Sequence, residues 1–222
     1  LNLDSDCVLI NCISLSDVDK CEIYKEDCQF QNSLFVNYLY SNLKHYNFKK
    51  LIHLSTNAVY DGNNAPYNEN SVCKPVNYYG KMKLEADKFL LSFNDARVMV
   101  LRPITLYGRL VKGGRHNPVS LIINSIQKKQ RIKLVNDVTI NILYVGDLIR
   151  AIEKLISIDF YGTINISGDE IFSRYSLGLK VAKILNKGLN LIEEVSSSEF
   201  KTVARRPLDT TFDNSLMKEN GL

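Results

Sequence analysis

Residues 51–83 read LIHLSTNAVYDGNNAPYNENSVCKPVNYYGKMK, and this stretch decides the fold. It opens with an apolar run that is typical of a buried strand and that ends in two hydroxyl residues, Ser55 and Thr56. A polar loop rich in Gly, Pro and Asn follows. A helix is predicted next, with Tyr79 and Lys83 on one face, because residues four apart are neighbours on a helix surface. The stretch therefore predicts a strand–loop–helix unit of an α/β protein.

The spacing of these residues indicates acid–base chemistry. A phenol with a pKa near ~10 is a poor acid at neutral pH, and a nearby lysine ammonium lowers that pKa. Tyr79 is then able to exchange a proton with a substrate oxygen, and Thr56 is placed to hydrogen-bond the same oxygen. We therefore predict that Thr56, Tyr79 and Lys83 act together as the catalytic residues.

Two other pairs have the same Tyr-x-x-x-Lys spacing, namely Tyr40 with Lys44 and Tyr46 with Lys50. Neither pair follows a strand that ends in hydroxyl residues. We expect them to form the solvated surface of a helix and its exit.

The composition excludes several classes of protein. The 222 residues are 45% hydrophobic and 23% charged, with a net charge of +4 and no block of Lys or Arg, which argues against a nucleic-acid partner. No apolar run is long enough to span a membrane, and no signal peptide is recognisable. The five cysteines form no C-x-x-C pair and the three histidines are scattered, so we predict no metal site and a reducing, cytoplasmic environment.

Outside the central stretch, the pattern predicts further parallel-sheet elements. The segment Cys7–Cys12 is short, apolar and β-branched, as buried parallel strands are, and its cysteines are expected to be buried. A strand is also predicted at 97–101. Between the first two strands we expect a long amphipathic helix over about 27–46, with an inward apolar face that consists of Phe30, Leu34, Phe35, Tyr38, Leu39 and Leu43.

The motifs Ser55-Thr56-Asn57-Ala58-Val59-Tyr60-Asp61-Gly62 and Tyr79-Gly80-Lys81-Met82-Lys83 resemble the active-site block of the extended short-chain dehydrogenase/reductase family. Within that family they are most similar to dTDP-4-dehydrorhamnose reductases and their sugar-nucleotide relatives. Further similarity lies in the segments 102–108, 144–149, 162–168 and 204–213. The family's catalytic Ser/Thr, Tyr and Lys positions fall on Thr56, Tyr79 and Lys83.

The resemblance implies an α/β fold, a Rossmann-like doubly wound parallel sheet with a small C-terminal substrate-binding lobe. Residues 1–110 would be the remainder of the NAD(P)-binding domain, with the sheet completed by about 146–168. Residues 111–145 and 169–222 would form the substrate-binding lobe. The family's G-x-x-G-x-x-G turn is not present in these 222 residues, so we expect an N-terminally truncated fold in which Cys7–Cys12 becomes an edge strand. We also expect these 222 residues by themselves to bind NAD(P)H poorly and to show no reductase activity.

The resemblance also implies binding residues. The positions expected to contact NADP or NAD are Asn11, Cys12, Ile13, Ser14, Ser55, Tyr79, Lys83, Pro103 and Ile104. The positions expected to contact a nucleotide-sugar substrate are Asn57, Tyr67, Thr105, Arg115, Asn117 and Arg206. In relatives, the helices over 27–46 and at the catalytic Tyr often form a dimer, so a homodimer is an open expectation.

The implied activity is NAD(P)H-dependent reduction of a nucleotide-activated 4-keto-6-deoxy sugar. Two alternatives remain open from the sequence. The first is a sugar-nucleotide epimerase. The related dehydratases place Asp-Glu directly after the Thr, and this chain has Asn57-Ala58 there, which counts against dehydration and leaves epimerisation open. The second is a non-catalytic NADP-binding subunit similar to the regulatory subunit of methionine adenosyltransferase, which shares most of these motifs.

Overall fold

The structure is a computed structural model, and it describes residues 4–222. In chain order its strands are β1 Val8–Asn11, β2 Lys50–Leu54, β3 Val98–Pro103, β4 Leu106–Tyr107, β5 Ile132–Val135, β6 Thr139–Asn141, β7 Leu143–Tyr144, β8 Gly162–Ile166, β9 Ile171–Ser173 and β10 Ile192–Val195. Its α-helices are α1 Val18–Ile23, α2 Lys25–Gln29, α3 Phe35–Leu43, α4 Tyr78–Leu91, α5 Pro118–Gln127, α6 Val145–Ser157, α7 Arg174–Ile184 and α8 Ser215–Glu219.

A four-stranded parallel sheet in the order β1-β2-β3-β8 forms the centre of the molecule. Its register places Ile52 beside Met99, and Leu101 beside Ile164. All four side chains are fully buried, because helices cover both faces of the sheet and each strand is accordingly an almost continuous apolar run. This arrangement confirms the predicted α/β fold with a parallel sheet.

Each face of the sheet has its own core. On one face, Leu148 and Leu155 of α6 pack with Ile52 and Leu101. On the other face, residues of α3 and α4 pack against the sheet; they are Val36, Tyr40, Leu43, Ala86 and Leu90. The catalytic candidates on α4 are therefore held against the strands that precede them in the chain.

A separate apolar cluster lies in α5, α7 and the parallel pair of β5 and β10. Its members include Ile122, Ile126, Leu134, Leu177 and Val181. These residues fall within the segments predicted to form the substrate-binding lobe, and the proposed division of the chain into two domains stays a prediction.

Within the described residues, β1 pairs with β2 alone and forms one edge of the sheet, as predicted. Ile10 at this edge is 46% exposed. The expectation that both flanking cysteines are buried is wrong. Cys7 is half-buried and Cys12 is exposed, because the chain leaves the sheet at Asn11 and Cys12 faces an open cleft.

The predicted inward face of the long helix is correct only in part, because Leu43 is buried and Phe35 and Leu39 are half-buried while the other three residues are not inward. Lys25–Leu43 is one continuous helix interrupted by a π-helical segment at Phe30–Leu34, whose wider turn rotates the faces on either side. Phe30, Leu34 and Tyr38 are exposed as a result. The buried polar Asn32 takes an inward position instead, where its side chain bonds to the main chain of Leu15 at 3.1 Å through both its oxygen and its nitrogen.

The two rejected Tyr-x-x-x-Lys pairs are less solvated than expected. Tyr40 is buried, and its hydroxyl donates to Asp95 at 2.9 Å. Lys50 is buried at the start of β2, where its ammonium bonds to the Phe160 carbonyl at 3.0 Å and to the Asp159 carboxylate at 2.8 Å. Both side chains fasten the ends of elements together, which the sequence spacing does not reveal.

Candidate active site

Two hydroxyl residues and a Pro-Ile-Thr turn gather at one edge of the sheet. Ser55 and Thr56 follow the end of β2, and Pro103 ends the neighbouring β3. Carboxyl ends of parallel strands meet at one edge, which is where ligands bind in open α/β sheets. Thr56 is held in place because its Oγ1 accepts a hydrogen bond from the Ala58 amide at 3.1 Å.

Helix α4 brings Tyr79 and Lys83 to this edge. Its N-cap is Asn77, whose side chain accepts from the Gly80 amide at 2.9 Å. Gly80 lies so close to the preceding turn that an added Cβ would lie 2.1 Å from the Ala58 carbonyl oxygen. The absence of a side chain at Gly80 therefore lets α4 approach the turn that follows Thr56.

Lys83 is directed into the protein interior. Its ammonium nitrogen donates to the Leu54 carbonyl at 2.6 Å and lies 3.2 Å from Nε2 of His53. Nδ1 of His53 lies 3.1 Å from the side-chain nitrogen of Asn11. Burial lowers the pKa of Lys83 to about 8, although the Asp87 carboxylate partly opposes this shift. Burial, followed by the charge of Lys83, lowers the pKa of His53 well below its usual range, so the imidazole is neutral.

Tyr79 is almost completely buried where α4 meets the turn that follows β2. Burial raises the pKa of its phenol, and the hydroxyls of Thr56 and Ser14 partly oppose that shift. This direction contradicts the expectation that Lys83 lowers the pKa of Tyr79. The physical reason is that Lys83 directs its hydrogen bonds to Leu54 and His53, while the phenol has lost its hydration.

A buried charged network connects α4 to the strands of the sheet. Asp87, two turns after Tyr79 on the same face of α4, accepts from Ser55 Oγ at 2.9 Å and from Nε of Arg102 at 3.1 Å. Arg102 also donates to the Tyr60 hydroxyl at 3.1 Å. The ion pair of Asp87 and Arg102 is costly to break, because removing either residue would leave the charge of the other buried without a partner. The network fixes Ser55 and α4 relative to β3.

Two clefts open onto this edge, and we name them by their walls. The strand-end cleft has a volume of about 690 Å3 and is bordered by the ends of β2 and β3 and by the start of α5. The arginine cleft has a volume of about 530 Å3 and is bordered by the segments 197–210, which include Arg205 and Arg206. Five residues line both clefts, namely Thr56, Asn57, Tyr79, Thr105 and Arg174.

The charge of both clefts has one sign. Among the described residues, no Asp or Glu lines either cleft, whereas each has arginines in its wall. Nη1 of Arg206 is buried without a hydrogen-bond partner, while Nη2 of the same side chain is paired with Asp19 at 2.8 Å. Buried polar atoms are normally satisfied, and Nη1 of Arg206 is one of three buried side-chain atoms without a partner among the described residues, beside Oδ1 of Asn37 and Oδ1 of Asp87.

The structure brings most of the predicted cofactor positions to the strand-end cleft. Those that line it are Cys12, Ser14, Ser55, Tyr79, Pro103 and Ile104. Three predicted positions line neither cleft, namely Asn11, Ile13 and Lys83. The Asn11 side chain is hydrogen-bonded to His53, Ile13 is exposed to solvent away from the clefts, and Lys83 is buried in the protein interior. Their proposed contacts with a cofactor have no support from the cleft geometry.

The predicted substrate positions divide into four groups. Asn57 and Thr105 line both clefts, and Arg206 lines the arginine cleft. Arg115 and Asn117 lie instead on the strand-end cleft. Tyr67 is not brought to either cleft, because it is buried with its ring stacked on Tyr60 and its hydroxyl donates to Asp61 at 2.6 Å.

Sequence reasoning missed several residues of the site. His53 and Asp87 had a usable signal, because Asp87 continues the i, i+4 series of Tyr79 and Lys83 and His53 interrupts an apolar strand. Arg205 lies in the segment 204–213 that resembles the family, which was a signal for it as it was for its neighbour Arg206. Arg174 had none, since its distance in sequence from the catalytic stretch gives no indication that the fold returns it there. The side chains of Ser197, Phe200, Thr202 and Thr210 reach the arginine cleft in the same way.

Two other kinds of site were searched for in residues 4–222. No group of three or more His, Cys, Asp or Glu side chains there is arranged to hold a metal ion. No helix in that range has the length and apolar character needed to cross a membrane.

The parallel sheet and its paired clefts define a Rossmann-like α/β protein with a ligand site at the carboxyl ends of its strands. The family model for the RmlD substrate binding domain matches residues 2–222, so the chain belongs to that family.

Individual relatives agree with this assignment. The dTDP-4-dehydrorhamnose reductase of Aggregatibacter actinomycetemcomitans is 25% identical over 218 residues, which cover 93% of this chain and 72% of the relative. The methionine adenosyltransferase 2 subunit beta of Bos taurus is 26% identical over 178 residues, and the match spans 78% of this chain but only 52% of that subunit.

A solved structure extends the similarity to the fold. The dTDP-4-dehydrorhamnose reductase of Bacillus anthracis, crystallised in complex with NADP, superposes with a TM-score of 0.87 at 27% identity. The superposition covers 97% of this chain and 74% of that chain. The resemblance to extended short-chain dehydrogenases/reductases of the rhamnose reductase type is thereby confirmed.

Proposed function

We propose that the chain binds a nucleotide-activated sugar in the arginine cleft and takes part in the NAD(P)H-dependent reduction of its keto group, as a dTDP-4-dehydrorhamnose reductase-like oxidoreductase. One observation carries the proposal: the arginine cleft and the strand-end cleft, neither lined by an acidic side chain among the described residues, meet at Thr56 and Tyr79. An anionic nucleotide sugar and a cofactor would meet at the same pair of hydroxyls.

The strand-end cleft fits the nicotinamide end of a cofactor. Its wall at the ends of β1, β2 and β3 consists mainly of small or flat residues, among them Cys12, Ser14, Ser55 and Pro103, which allow a planar ring to approach the strands. NAD(P)H supplies a hydride when it is bound. The related reductase from Bacillus anthracis was crystallised with NADP, which supports the same class of cofactor here.

The chain's own residues have distinct roles in the proposed reaction. The Tyr79 hydroxyl gives its proton to the sugar carbonyl oxygen, so that hydride and proton together convert C=O into CH–OH. Its raised pKa keeps the phenol protonated and ready to donate before the reaction. Thr56 holds the same oxygen by a hydrogen bond. Lys83 acts from behind the wall, where its bond to Leu54 fixes α4 against the strand that carries Thr56.

Nucleotide binding is tested on the 222-residue chain, where we expect dTDP to bind saturably in a calorimetric titration. Turnover is tested after these residues are joined to the glycine-rich dinucleotide-binding segment of a related reductase, because the 222 residues contain no such turn. In that joined protein we expect NADPH absorbance to fall when dTDP-4-dehydrorhamnose is added. Saturable dTDP binding without any sugar-dependent consumption of NADPH or NADH would contradict the reductase and leave a nucleotide-binding protein. An epimerase, which Asn57-Ala58 leaves open, would instead interconvert two nucleotide sugars with no net loss of NADPH.

A second candidate is a regulatory subunit, because the bovine methionine adenosyltransferase subunit is as similar in identity as the bacterial reductase. This function predicts stable binding to a catalytic methionine adenosyltransferase subunit. A pull-down with that purified subunit discriminates the two candidates, since a reductase alone would not be retained.

We also propose a homodimer, and this proposal does not depend on the enzymatic activity. Phe30, Leu34 and Tyr38 form an exposed apolar stripe along the helix that precedes β2, with Tyr38 70% exposed. Sedimentation of the wild type and of the Tyr38→Ser variant tests it. Identical monomer masses for both would contradict the dimer.

A further inference from the structure

The first helical residue of α7, Arg174, stands where both clefts meet. It lines the strand-end cleft and the arginine cleft together with Thr56, Tyr79 and Thr105. Arg205 and Arg206, by contrast, line the arginine cleft alone. Arg174 therefore faces the reacting end of the proposed substrate site rather than its outer end.

Arg174 has no partner within the described part of the chain. None of the hydrogen bonds or ion pairs there uses its guanidinium, and burial alone accounts for the lowered pKa of this side chain. The side chain is half-buried, because one side of it faces the open clefts while protein surrounds the rest. A guanidinium stays charged in proteins and prefers planar oxygen acceptors, so an unpaired one in a cleft wall is a strong anion site.

The position of Arg174 on its helix is unfavourable for a merely structural role. It is the N1 residue of α7, which is capped by Ser173 and has no acidic residue in its first turn. Cations are disfavoured at this end, because the helix dipole places partial positive charge there. The guanidinium and the helix terminus together concentrate positive potential at the junction of the clefts, and only a bound anion would relieve it.

We propose that Arg174 binds an anionic oxygen group of the nucleotide-sugar ligand at the junction of the two clefts. This inference rests on the proposed function, because it assumes that a nucleotide sugar enters the arginine cleft. The anion is either a carboxylate on the sugar or a phosphate oxygen of the diphosphate. Arginine binds both by the same pair of parallel hydrogen bonds.

The experiment titrates the 222-residue chain with UDP, UDP-glucose and UDP-glucuronic acid, with dTDP and dTDP-glucose in parallel. The variants are Arg174→Gln, which removes the charge, and Arg174→Lys, which keeps it without the planar fork. The matched control is Arg131→Gln, since Arg131 is exposed and lines neither cleft. Calorimetry reports affinity, and thermal unfolding without ligand shows that each variant is folded.

Arg174→Gln is expected to weaken anion binding by about 10- to 100-fold, the usual loss for a hydrogen bond to a charged group. A loss confined to UDP-glucuronic acid identifies the sugar carboxylate, whereas an equal loss for all nucleotides identifies the diphosphate. Arg174→Lys should recover part of the affinity, and Arg131→Gln should bind as wild type does.

The two hypotheses fail in different ways. Unchanged affinity of folded Arg174→Gln for every ligand would overturn the role of Arg174 and leave the proposed function intact. If the wild type binds none of the five ligands, both the proposed function and this inference are overturned.

Discussion

The ammonium of Lys83 on α4 donates a 2.6 Å hydrogen bond to the main-chain carbonyl of Leu54, the last residue of β2. This contact joins the helix that carries Tyr79 to the strand that leads into Thr56. Thr56 and Tyr79 are thus positioned relative to each other by a bond that neither of them makes. Several expected outcomes depend on this junction.

The buried ammonium of Lys83 gives stability an alkaline dependence. Its pKa is about 8 in the folded protein and near ~10.4 in an unfolded chain, so the unfolded state binds more protons between these values. The free energy of unfolding therefore rises with pH in this window, by at most ~1.4 kcal/mol per pH unit. Urea unfolding at pH 7.5 and 9.5 should show about 1–2 kcal/mol of such gain that is lost in Lys83→Met. Lys88→Met, an exposed position on the same helix, should keep the gain, and equal behaviour of the two variants would refute the argument.

His53 should produce the corresponding acid dependence. Burial holds its folded pKa well below the value of ~6.5 expected when unfolded, so lowering the pH below that value protonates the unfolded state first and stability falls. Between pH 7.5 and 5.5 the wild type should lose about 1 kcal/mol more than His53→Gln does. His45→Gln is the control, because His45 is exposed, and it should lose as much as the wild type. The idea is wrong if His53→Gln loses as much too.

Gly80→Ala should separate the helix from the strand end. The new methyl group would lie 2.1 Å from the Ala58 carbonyl oxygen. Because that oxygen belongs to the main chain, the backbone must move to relieve the clash. We expect a loss of about 1–3 kcal/mol in unfolding free energy, as for an overpacked core site, and weaker dTDP binding. Lys81→Ala, an exposed neighbour on α4, should change neither quantity. A Gly80→Ala protein with wild-type stability would show that α4 does not depend on this close approach.

Tyr79→Phe tests the proposed chemistry directly. The variant keeps the buried ring and removes only the proton donor. In the protein joined to a glycine-rich dinucleotide-binding segment, nucleotide binding should persist while sugar-dependent NADPH oxidation falls by about 10²–10⁴-fold. Tyr46→Phe, at a half-exposed tyrosine of a rejected pair, serves as the control. Turnover within a few-fold of wild type would remove Tyr79 from the mechanism.

The sequence predicts those parts of the molecule that local chemistry determines. The hydroxyl residues after β2 and the Tyr79–Lys83 face follow from strand and helix periodicity, and the structure places them as expected. The inward face of the helix before β2 is not predictable in this way, because a π-helical segment changes the period that the pattern assumes. The predicted direction of the Tyr79 pKa shift is wrong for a different reason. The shift depends on burial and on the groups to which Lys83 donates its hydrogen bonds, and both are tertiary properties.

The arginines show a further limit. Arg206 was expected from the family resemblance, whereas no feature of the sequence places Arg174 near the site. Its placement depends on the pairing of β6 with β9, which turns the start of α7 toward the sheet edge. Such long-range pairing leaves no mark in a window of neighbouring residues.

The exposure of Cys12 makes the chain selectively addressable by thiol chemistry. Cys21 and Cys28 are buried, Cys7 and Cys73 are half-buried, and burial raises the pKa of Cys73 and keeps it in the unreactive thiol form. A maleimide dye added to the folded protein will therefore attach first at Cys12, on the wall of the strand-end cleft. Because the chain contains no tryptophan, such a dye would report optically on the strand-end cleft without interference from indole fluorescence.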